Sequence, residues 1–279
     1  MSVVPARAPA PAEEERLKEI YVRYFETVIV RDEAALAAAH KLRYQVYCVE
    51  NPFEDPADNP DGLERDHYDS RATHCLLIHR PSDTVAGTVR LVLPDRQRPD
   101  RSFSLQEVCR DPLVQDPAAF PVARMAEISR FCVAKEFRRR HSEGLYGRYE
   151  SEDDLKDNRR VIPHMTLGLI EGLVRMSVES GIDYWCAVME PTLLRLLTRL
   201  GIHFDHIGPR VDYHGKRQPC YQRLDRFLER VRAERPDVWD ILTDDGRHWQ
   251  ALQARWGGQD GVRGEDLVES SNHPHWARS

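Results

Sequence analysis

The strongest structural signal in this chain is the segment Met125-Ala126-Glu127-Ile128-Ser129-Arg130-Phe131-Cys132-Val133. It has the apolar composition of a buried strand, yet it carries a carboxylate and a guanidinium three residues apart. Burying a charge costs free energy unless the charge is paired or used, so an acid and an arginine in a core strand indicate a functional site. Side chains alternate between the faces of a regular strand, so Glu127 and Arg130 share a pocket only if a bulge turns them together. Otherwise they serve different pockets.

Strand and helix patterns alternate outward from this segment. Strands are predicted at residues 27–30, 73–79, 84–93, 123–134, 182–188, 203–207 and 217–224. Helices are predicted at residues 13–26, 33–48, 162–180, 191–200 and 225–235, followed by two short helices that contain tryptophan. This alternation predicts an α/β (α+β) fold in which a mixed sheet has helices on both faces.

The same patterns divide the chain into three parts. Residues 1–15 are rich in Pro and Ala and are expected to form a flexible N-terminal tail, not a signal peptide. Residues 16–225 are expected to form the main domain, and residues 226–279 a helical C-terminal extension with a polar tail. The polar, charged residues 137–160 are expected to form a mobile loop within the main domain.

The bulk composition argues against several classes of protein. The 279 residues are 41% hydrophobic and 31% charged, as is typical of a soluble globular protein. A net charge of -6 and a pI of about 6.1 argue against nucleic acid as a partner. No apolar run approaches the roughly 20 residues of a membrane helix. Six scattered cysteines without a CxxC pair favour a cytoplasmic location over a disulfide framework or a zinc site.

Five short motifs follow one another in the first half of the chain. An arginine and an aromatic residue, Arg43 and Tyr47, lie four apart on a predicted helix, and a second aromatic, Phe53, lies ten residues after the arginine. An acidic E-x-D-x-x-D cluster and two strand motifs, G-x-x-R-L and E-x-S-R-F, come next. Their residues are Glu64, Asp66 and Asp69, then Gly87, Arg90 and Leu91, then Glu127, Ser129, Arg130 and Phe131.

In this order the motifs resemble those of the GNAT acyltransferase superfamily, and within it the acyl-homoserine-lactone (autoinducer) synthases and the N-acyl amino acid synthases. The pattern looks most like the acyltransferases associated with PEP-CTERM and exosortase sorting systems. The resemblance implies a GNAT-like, mostly antiparallel sheet in a three-layer αβα arrangement. It implies catalytic roles for Glu127, Ser129 and Arg130, and substrate binding by Arg43, Tyr47, Phe53, Glu64, Asp66, Asp69 and Arg90.

The sequence departs from these families in ways that affect the substrates. Tyr47 and Phe53 replace the usual Phe and Trp, which disfavours a homoserine-lactone product. The usual GNAT pyrophosphate loop does not follow the central strand; an arginine-rich segment does. This favours acyl carrier protein over coenzyme A as the acyl donor, since the carrier surface is acidic and Arg138, Arg139, Arg140 and Arg148 could steer it. The alternative is a solvated loop with no docking role. No metal and no permanently bound cofactor are expected.

Transfer of an acyl group from a thioester to an amine requires removal of a proton, and Glu127 is the candidate general base. A partly buried carboxylate has a raised proton affinity, which suits that role. The alternative for Glu127 is a structural ion pair with Arg130. Arg43 is expected to grip a carboxylate of the acceptor, which is a small molecule with an amine.

The acidic residues Asp66 and Asp69 have two possible roles. Asp66 and Asp69 could bind the ammonium of the acceptor, or they could hold Arg43 and Arg90 in place. Arg90 lies in an apolar strand and is expected to pair with one of these acids, because a buried arginine needs a partner. Cys132 is expected to be a core thiol in preference to a nucleophile.

The expected activity is therefore N-acyl transfer from acyl carrier protein or acyl-coenzyme A to an amino acid or a related small metabolite. One alternative is an acyl-homoserine-lactone synthase that uses S-adenosylmethionine. The other is a non-catalytic GNAT-like module that binds an acyl ligand or a partner protein.

Overall fold

The computed structural model describes residues 16–116, 119–138 and 161–257. The helices are α1 (Leu17–Tyr24), α2 (Glu33–Tyr44), α3 (Ser104–Val108), α4 (Pro112–Gln115), α5 (Lys135–Arg138), α6 (Val161–Ser180), α7 (Pro191–Arg199), α8 (Leu224–Glu234), α9 (Pro236–Thr243) and α10 (Arg247–Gly257). The strands are β1 (Phe25–Ile29), β2 (Ala72–His79), β3 (Thr84–Val92), β4 (Met125–Val133), β5 (Tyr184–Met189), β6 (Asp205–His206), β7 (Val211–Asp212) and β8 (Lys216–Arg223). A π-helical turn (Gln45–Glu50) extends α2, and a 3-10 helix (His67–Arg71) precedes β2.

The strands form one open sheet in the order β1-β2-β3-β4-β5-β8-β6, with β7 paired to β8. Strands β4 and β5 are parallel, and the other neighbours are antiparallel. A parallel pair needs a long crossover connection, and α6 lies in the chain between these two strands. The predicted mixed, mostly antiparallel sheet is confirmed.

Helices pack on both faces of the sheet because strand side chains alternate. Val133 packs in the large core cluster with the buried residues of α6, whereas its neighbour Cys132 packs with Leu42 of α2. In the same way, Ala126 belongs to the α6 side, and Met125 belongs to the cluster around α3. The sheet is therefore a middle layer between α6 on one face and α2 and α3 on the other.

Two glycines let α6 lie unusually close to the sheet. A Cβ at Gly168 would come within 2.5 Å of Leu77 Cδ1, and a Cβ at Gly172 would come within 3.0 Å of the Cβ of Cys75. The two glycines are four residues apart, so they lie on the same face of the helix. This close approach explains why glycine occupies two interior helical positions despite its poor helix propensity.

The helices after residue 225 pack in the same core as the sheet. Phe227 and Val231 of α8, Trp239 of α9 and Leu252 of α10 belong to the buried cluster that contains the inner face of α6. Arg255 of α10 also donates a hydrogen bond to Asp183, the residue before β5.

Most predicted elements lie where the sequence places them, and the differences have physical causes. The first helix ends at Tyr24 and not at residue 26, because Phe25 already pairs with His79 in the sheet and is buried. The second helix changes to π-helical geometry after Tyr44. Strand β7 was not predicted, since a strand of two residues carries no periodicity.

Among the described residues, no helix is both long enough and apolar enough to cross a membrane.

Candidate active site

A bulge in β4 brings Glu127 and Arg130 to the same cavity. Arg90 of β3 pairs with Ser129, and Thr88 pairs with Cys132, so the single residue between them on β3 faces two residues of β4. Arg130 has a positive φ of 49°, a left-handed conformation that is uncommon outside glycine. The extra residue turns the strand, and both side chains line one pocket. Of the two alternatives that the three-residue spacing left open, the structure shows the bulge and the shared pocket.

The cavity opens where β4 and β5 separate. The two strands pair from Met125–Tyr184 to Ile128–Ala187, and the ladder does not extend further. Beyond this point lies a cavity of about 120 Å³. Its wall consists of Tyr47, Phe53, Glu54, Asp66, Tyr68, Arg90, Ser104, Glu127, Ile128, Ser129, Arg130, Phe131, Val188, Met189, Glu190, Leu193, Tyr213, His214 and Arg217.

Glu127 is a buried carboxylate held by the start of α3. Its oxygens accept hydrogen bonds from the backbone N–H of Ser104 at 3.0 Å, from the Ser104 hydroxyl at 2.8 Å and from the backbone N–H of Leu105 at 2.9 Å. Only 2% of Glu127 is exposed. These donors fix the carboxylate without neutralising it, because none of them is a cation.

Burial raises the pKa of Glu127 above the ordinary value for a glutamate, although the hydrogen bonds from Ser104 and Leu105 oppose this shift. Glu127 makes no ion pair with Arg130, whose guanidinium binds Glu54 and Glu64. The alternative that Glu127 serves as the structural partner of Arg130 is therefore wrong.

Three arginines and four acids form a buried network beside the cavity. We call it the arginine–carboxylate cluster; its members are Arg43, Arg90, Arg130, Glu54, Glu64, Asp66 and Asp69. Arg43 is completely buried. It donates from Nε to Glu64 and from its two terminal nitrogens to both oxygens of Asp69, at 2.7 and 2.9 Å. Each of the three guanidinium nitrogens thus donates to an acid of the cluster.

Arg90 joins β3, β4 and the acidic loop. Its terminal nitrogens bind both oxygens of Asp66, at 2.6 and 2.9 Å, and one of them also binds Asp69 at 2.9 Å. Its Nε donates to the hydroxyl of Ser129 at 2.9 Å. The prediction that Arg90 pairs with the neighbouring acids is confirmed, and Asp66 and Asp69 hold Arg43 and Arg90 in place.

Arg130 completes the cluster from the bulge. It binds Glu64 at 2.8 Å and Glu54 at 2.7 Å, and it lies 3.1 Å from a carboxylate oxygen of Asp66. These contacts hold the residue in its left-handed backbone conformation. The guanidinium carbon also lies 5.1 Å from the centre of the Tyr47 ring, within the range of a cation–π contact.

The cluster keeps its acids ionised. Burial alone raises the pKa of Glu64, but the guanidinium groups of Arg130 and Arg43 outweigh it, and the pKa lies below the ordinary value. The same balance, with Arg43 as the main counter-charge, holds the pKa of Asp69 well below its ordinary value. For Arg130, burial lowers the pKa, but Glu64 and Asp66 outweigh it, and the pKa is raised.

The local sequence also shapes the acidic loop. Asp66 precedes the 3-10 helix His67–Arg71, and its side chain accepts from the backbone N–H of Tyr68 at 2.8 Å. In return, Asp69 accepts from the backbone N–H of Asp66 at 2.8 Å. This reciprocal capping orients both carboxylates toward the arginines.

Tyr47 and Phe53 form an aromatic wall of the cavity, with ring centres 6.2 Å apart. Tyr47 lies in the π-helical turn that follows α2. Its hydroxyl donates to the carbonyl of Phe131 at 3.5 Å. Burial raises the pKa of Tyr47 above its ordinary value, so this phenol is neutral.

The structure divides the expected site residues into two groups. The cavity wall contains Glu127, Ser129, Arg130, Tyr47, Phe53, Asp66 and Arg90. Arg43, Glu64 and Asp69 lie behind that wall in the arginine–carboxylate cluster. The expectation that Arg43 binds the acceptor is wrong, because its guanidinium is completely buried and bound to Glu64 and Asp69.

Sequence reasoning missed several residues of the wall. Ser104 could have been found, because a serine is common at the start of a helix, where it binds nearby polar groups. Tyr68 follows the acidic cluster directly, but only the fold shows that its ring faces the cavity. Glu190, Tyr213, His214 and Arg217 lie far along the chain, and no local pattern connects them with Glu127.

Two histidines lie behind the cluster. His40, His74 and Asp69 bring possible metal-ligand atoms within 4.8 Å of one another. Asp69 already accepts hydrogen bonds from Arg43 and Arg90, so a cation here would stand beside two positive charges. Burial, together with the charge of Arg43, lowers the pKa of His74 to about 3. The group is better suited to neutral packing than to metal binding.

The expected carrier-docking arginines fall largely outside the described residues. Arg138 ends α5, and Arg139, Arg140 and Arg148 lie in the part of the chain that is not described.

The six cysteines are buried free thiols. Cys132 packs with Leu42, Val46 and Ala134, so the expected core role of this thiol is confirmed.

Comparison with known proteins supports an acyltransferase fold. Residues 42–146 match the family model of the acetyltransferase (GNAT) domain. The matched stretch includes β2, β3, β4 and every member of the arginine–carboxylate cluster. The mixed sheet flanked by helices is thus a GNAT-like fold, as the sequence motifs implied. No curated protein matches this chain.

Solved structures of acyl-transferring enzymes are similar to this chain. The AHL synthase LasI aligns with a TM-score of 0.45 and 20% identity over 71% of this chain and 88% of LasI. FeeM, an N-acyl amino acid synthase from uncultured soil microbes, aligns with a TM-score of 0.47 and 16% identity over 74% of this chain and 93% of FeeM. The CoA-dependent acyl-homoserine lactone synthase BjaI aligns with a TM-score of 0.47 and 19% identity over 81% of this chain and 89% of BjaI.

Proposed function

We propose that this protein is an N-acyltransferase. It moves a fatty acyl group from the thioester of acyl carrier protein or coenzyme A to the amine of an amino acid or a related small metabolite. Glu127 acts as the general base. The proposal rests on one observation above all: a buried carboxylate that forms no ion pair with a described residue and has a raised pKa lines a cavity at the separation of β4 and β5.

The position of Glu127 suits proton removal. An amine is nucleophilic only after its ammonium loses a proton, and a carboxylate whose pKa is raised accepts that proton more readily. The hydrogen bonds from Ser104 and Leu105 hold the carboxylate in one orientation. The charge of Arg90 lowers the pKa of Glu127, but the guanidinium of Arg90 is bound by the acids of the cluster, and burial still raises the pKa overall.

The reaction balances without a covalent enzyme intermediate. The amine nitrogen attacks the thioester carbonyl, the C–N bond forms, and the C–S bond of the tetrahedral intermediate breaks. Glu127 removes one proton from the ammonium before the attack, and the attacking nitrogen loses a second proton as the amide forms. One of the two protons passes to the departing thiolate and the other is released to solvent. The products are an amide and a free thiol.

The cavity wall also has an apolar side that suits an acyl chain. Ile128 and Phe131 come from β4, Val188 and Met189 from β5, and Leu193 from α7. An apolar wall keeps the reacting centre dry and strengthens the electrostatic interactions in it. The edge of β4 left without a ladder partner beyond Ile128 gives an extended thioester arm a place to lie.

The experiment that tests the proposal is mass spectrometry of lipid extracts from cells that express the wild type or Glu127→Gln. The expected result is a new N-acyl amino acid with the wild type that is lost with Glu127→Gln. Glu107→Gln is a matched control, because Glu107 is an exposed acid on the same helix as Ser104. It should retain the product.

Other outcomes would contradict the proposal. An acyl-homoserine lactone in the wild-type extract would show a synthase that uses S-adenosylmethionine. Unchanged product with Glu127→Gln would exclude this carboxylate as the base. No acylated product in extracts, together with no transfer by purified protein to any of the twenty amino acids, would favour a binding module.

A further inference from the structure

Apart from Glu127, the charged groups of the cavity wall are matched in pairs, with two exceptions. Arg90 binds Asp66, and Arg130 binds Glu54. Glu190 and Arg217 also line the cavity. Within the described part of the chain, neither makes an ion pair with a residue of opposite charge.

Arg217 lies on β8, next to the turn that joins this strand to β7. The only hydrogen bond of its guanidinium within the described residues goes to the carbonyl of Lys216, at 3.2 Å. Its guanidinium carbon lies 5.7 Å from the centre of the Phe53 ring. The side chain is half-buried, so the guanidinium is partly removed from water while most of its donors remain open to the cavity.

The turn holds this arginine against the aromatic wall. Val211 pairs with Arg217 in the β7–β8 ladder. His214 in the turn has a positive φ of 51°, and its ring centre lies 5.7 Å from that of Phe53. The side chains of His214 in the turn and Arg217 on β8 therefore both contact Phe53, and the β7–β8 ladder fixes the backbone of Arg217.

A half-buried guanidinium whose N–H donors are mostly unbound is suited to binding a carboxylate. Arginine matches the two oxygens of a carboxylate with parallel hydrogen bonds, and such charge-assisted bonds are about twice as strong as neutral ones. Arg43 cannot bind a carboxylate in the cavity, since it lies behind the cavity wall and its guanidinium is bound to Glu64 and Asp69.

We propose that Arg217 binds the carboxylate of the amine acceptor, and that the acceptor is therefore an α-amino acid or another zwitterion. This inference rests on the proposed function and adds the substrate class and the residue that selects it. Selection at Arg217 discriminates against amines without a carboxylate, because the partly buried guanidinium would then face the pocket without a partner.

The test compares two acceptor pairs that differ only in the carboxylate: leucine with isoamylamine, and phenylalanine with phenethylamine. Initial rates are measured with the acyl donor identified by mass spectrometry, for the wild type, Arg217→Gln and Lys216→Gln. Lys216 is the matched control, because it is an exposed cation on the same strand and pairs with Asp212.

Arg217→Gln should raise the KM for the amino acids by about 10- to 100-fold, the range expected for a lost hydrogen bond to a charged group. The KM for the corresponding amines and the KM for the donor should stay within about 2-fold of wild type, and Lys216→Gln should match the wild type. Equal increases for amino acids and amines would overturn the proposal in favour of a packing role. An increase confined to the donor KM would show that Arg217 binds the donor.

A binding measurement separates failure of this inference from failure of the proposed function. Isothermal titration of leucine and phenylalanine into the protein without donor needs no catalysis. Binding by the wild type that is lost in Arg217→Gln supports the carboxylate site even if no acyl transfer is found. Equal binding by both proteins, or no binding of either amino acid by the wild type, would overturn it.

Discussion

Arg43 grips Asp69 with two parallel hydrogen bonds, 2.7 and 2.9 Å long, in a place where the arginine has no contact with solvent. A bidentate pair of this kind fixes the acidic loop against α2. The loop in turn carries Asp66, which holds Arg90 on the central strands. The pair thus supports the cavity wall from behind.

Arg43→Ala should therefore act on stability more than on substrate binding. Removing one partner of a buried ion pair leaves unpaired charges on Glu64 and Asp69 and typically costs about 3–5 kcal/mol. Urea unfolding measures the loss. Arg65→Ala is the control, because Arg65 forms an exposed pair with Asp61 and should lose no more than about 1 kcal/mol. A fully stable Arg43→Ala protein with a raised acceptor KM would show direct contact with the acceptor.

The pH dependence of turnover should report the ionisation of Glu127. Burial raises its pKa above the ordinary glutamate value, and the base must be ionised to act. The rate should thus fall on the acid side at a pH above that ordinary value. Ser104→Ala removes a hydrogen bond that favours the ionised form, so the acid limb should move to higher pH. A limb that stays in place in this variant would show that another group controls it.

The stability of the protein should decrease as the pH is lowered, before the carboxylates become protonated. The pKa of His74 in the folded protein is about 3, below the value of about 6.5 expected when unfolded. Between these two pH values the unfolded chain binds more protons than the folded one. The stabilising contribution of neutral His74 is therefore fully present above pH ~6.5, and the free energy of unfolding decreases as the pH falls, by up to ~1.4 kcal/mol per pH unit. Urea unfolding at pH ~7 and ~5 measures this slope.

His74→Gln should flatten the slope, and His206→Gln should leave it unchanged because His206 is exposed on β6. An unchanged slope in His74→Gln would show that other groups carry the pH dependence.

Gly172→Ala should destabilise the protein even though alanine is the better helix former. The added Cβ would come within 3.0 Å of the Cβ of Cys75 and 3.2 Å of a methyl group of Thr27. Overpacking of this kind costs about 1–3 kcal/mol, against about 1 kcal/mol gained in helix propensity. Chemical denaturation measures the difference. Gly257→Ala, where no atom of the described residues lies near the new Cβ, is the control and should be neutral or slightly stabilising.

The sequence predicted the scaffold well because its elements carry strong periodic patterns. The long apolar helix α6 and the strands β2 to β5 are examples. Weak elements were missed for the same reason: β7 has only two residues, and the π-helical turn after Tyr44 looks like ordinary helix in sequence. Propensity does not encode such local changes of geometry.

The candidate site was only partly predictable. Local motifs identified Glu127, Arg130 and the acidic cluster, since charges in apolar surroundings stand out. They could not show that Arg43 lies behind the wall, because burial depends on how α2 packs against the sheet. They also could not show that Arg217 contacts Phe53. These residues are more than a hundred positions apart and come together only through the order of the strands.

The bulge at Arg130 has a consequence for protein engineering. The convergence of acid and arginine in the candidate site is not a property of the peptide E-x-S-R alone; it also requires a partner strand that is one residue short at this point. Grafting those four residues onto a regular strand would send the two side chains to opposite faces. Conversely, inserting one residue into β3 opposite the bulge would restore a regular ladder and separate Glu127 from Arg130. A portable version of this site must therefore include both strands.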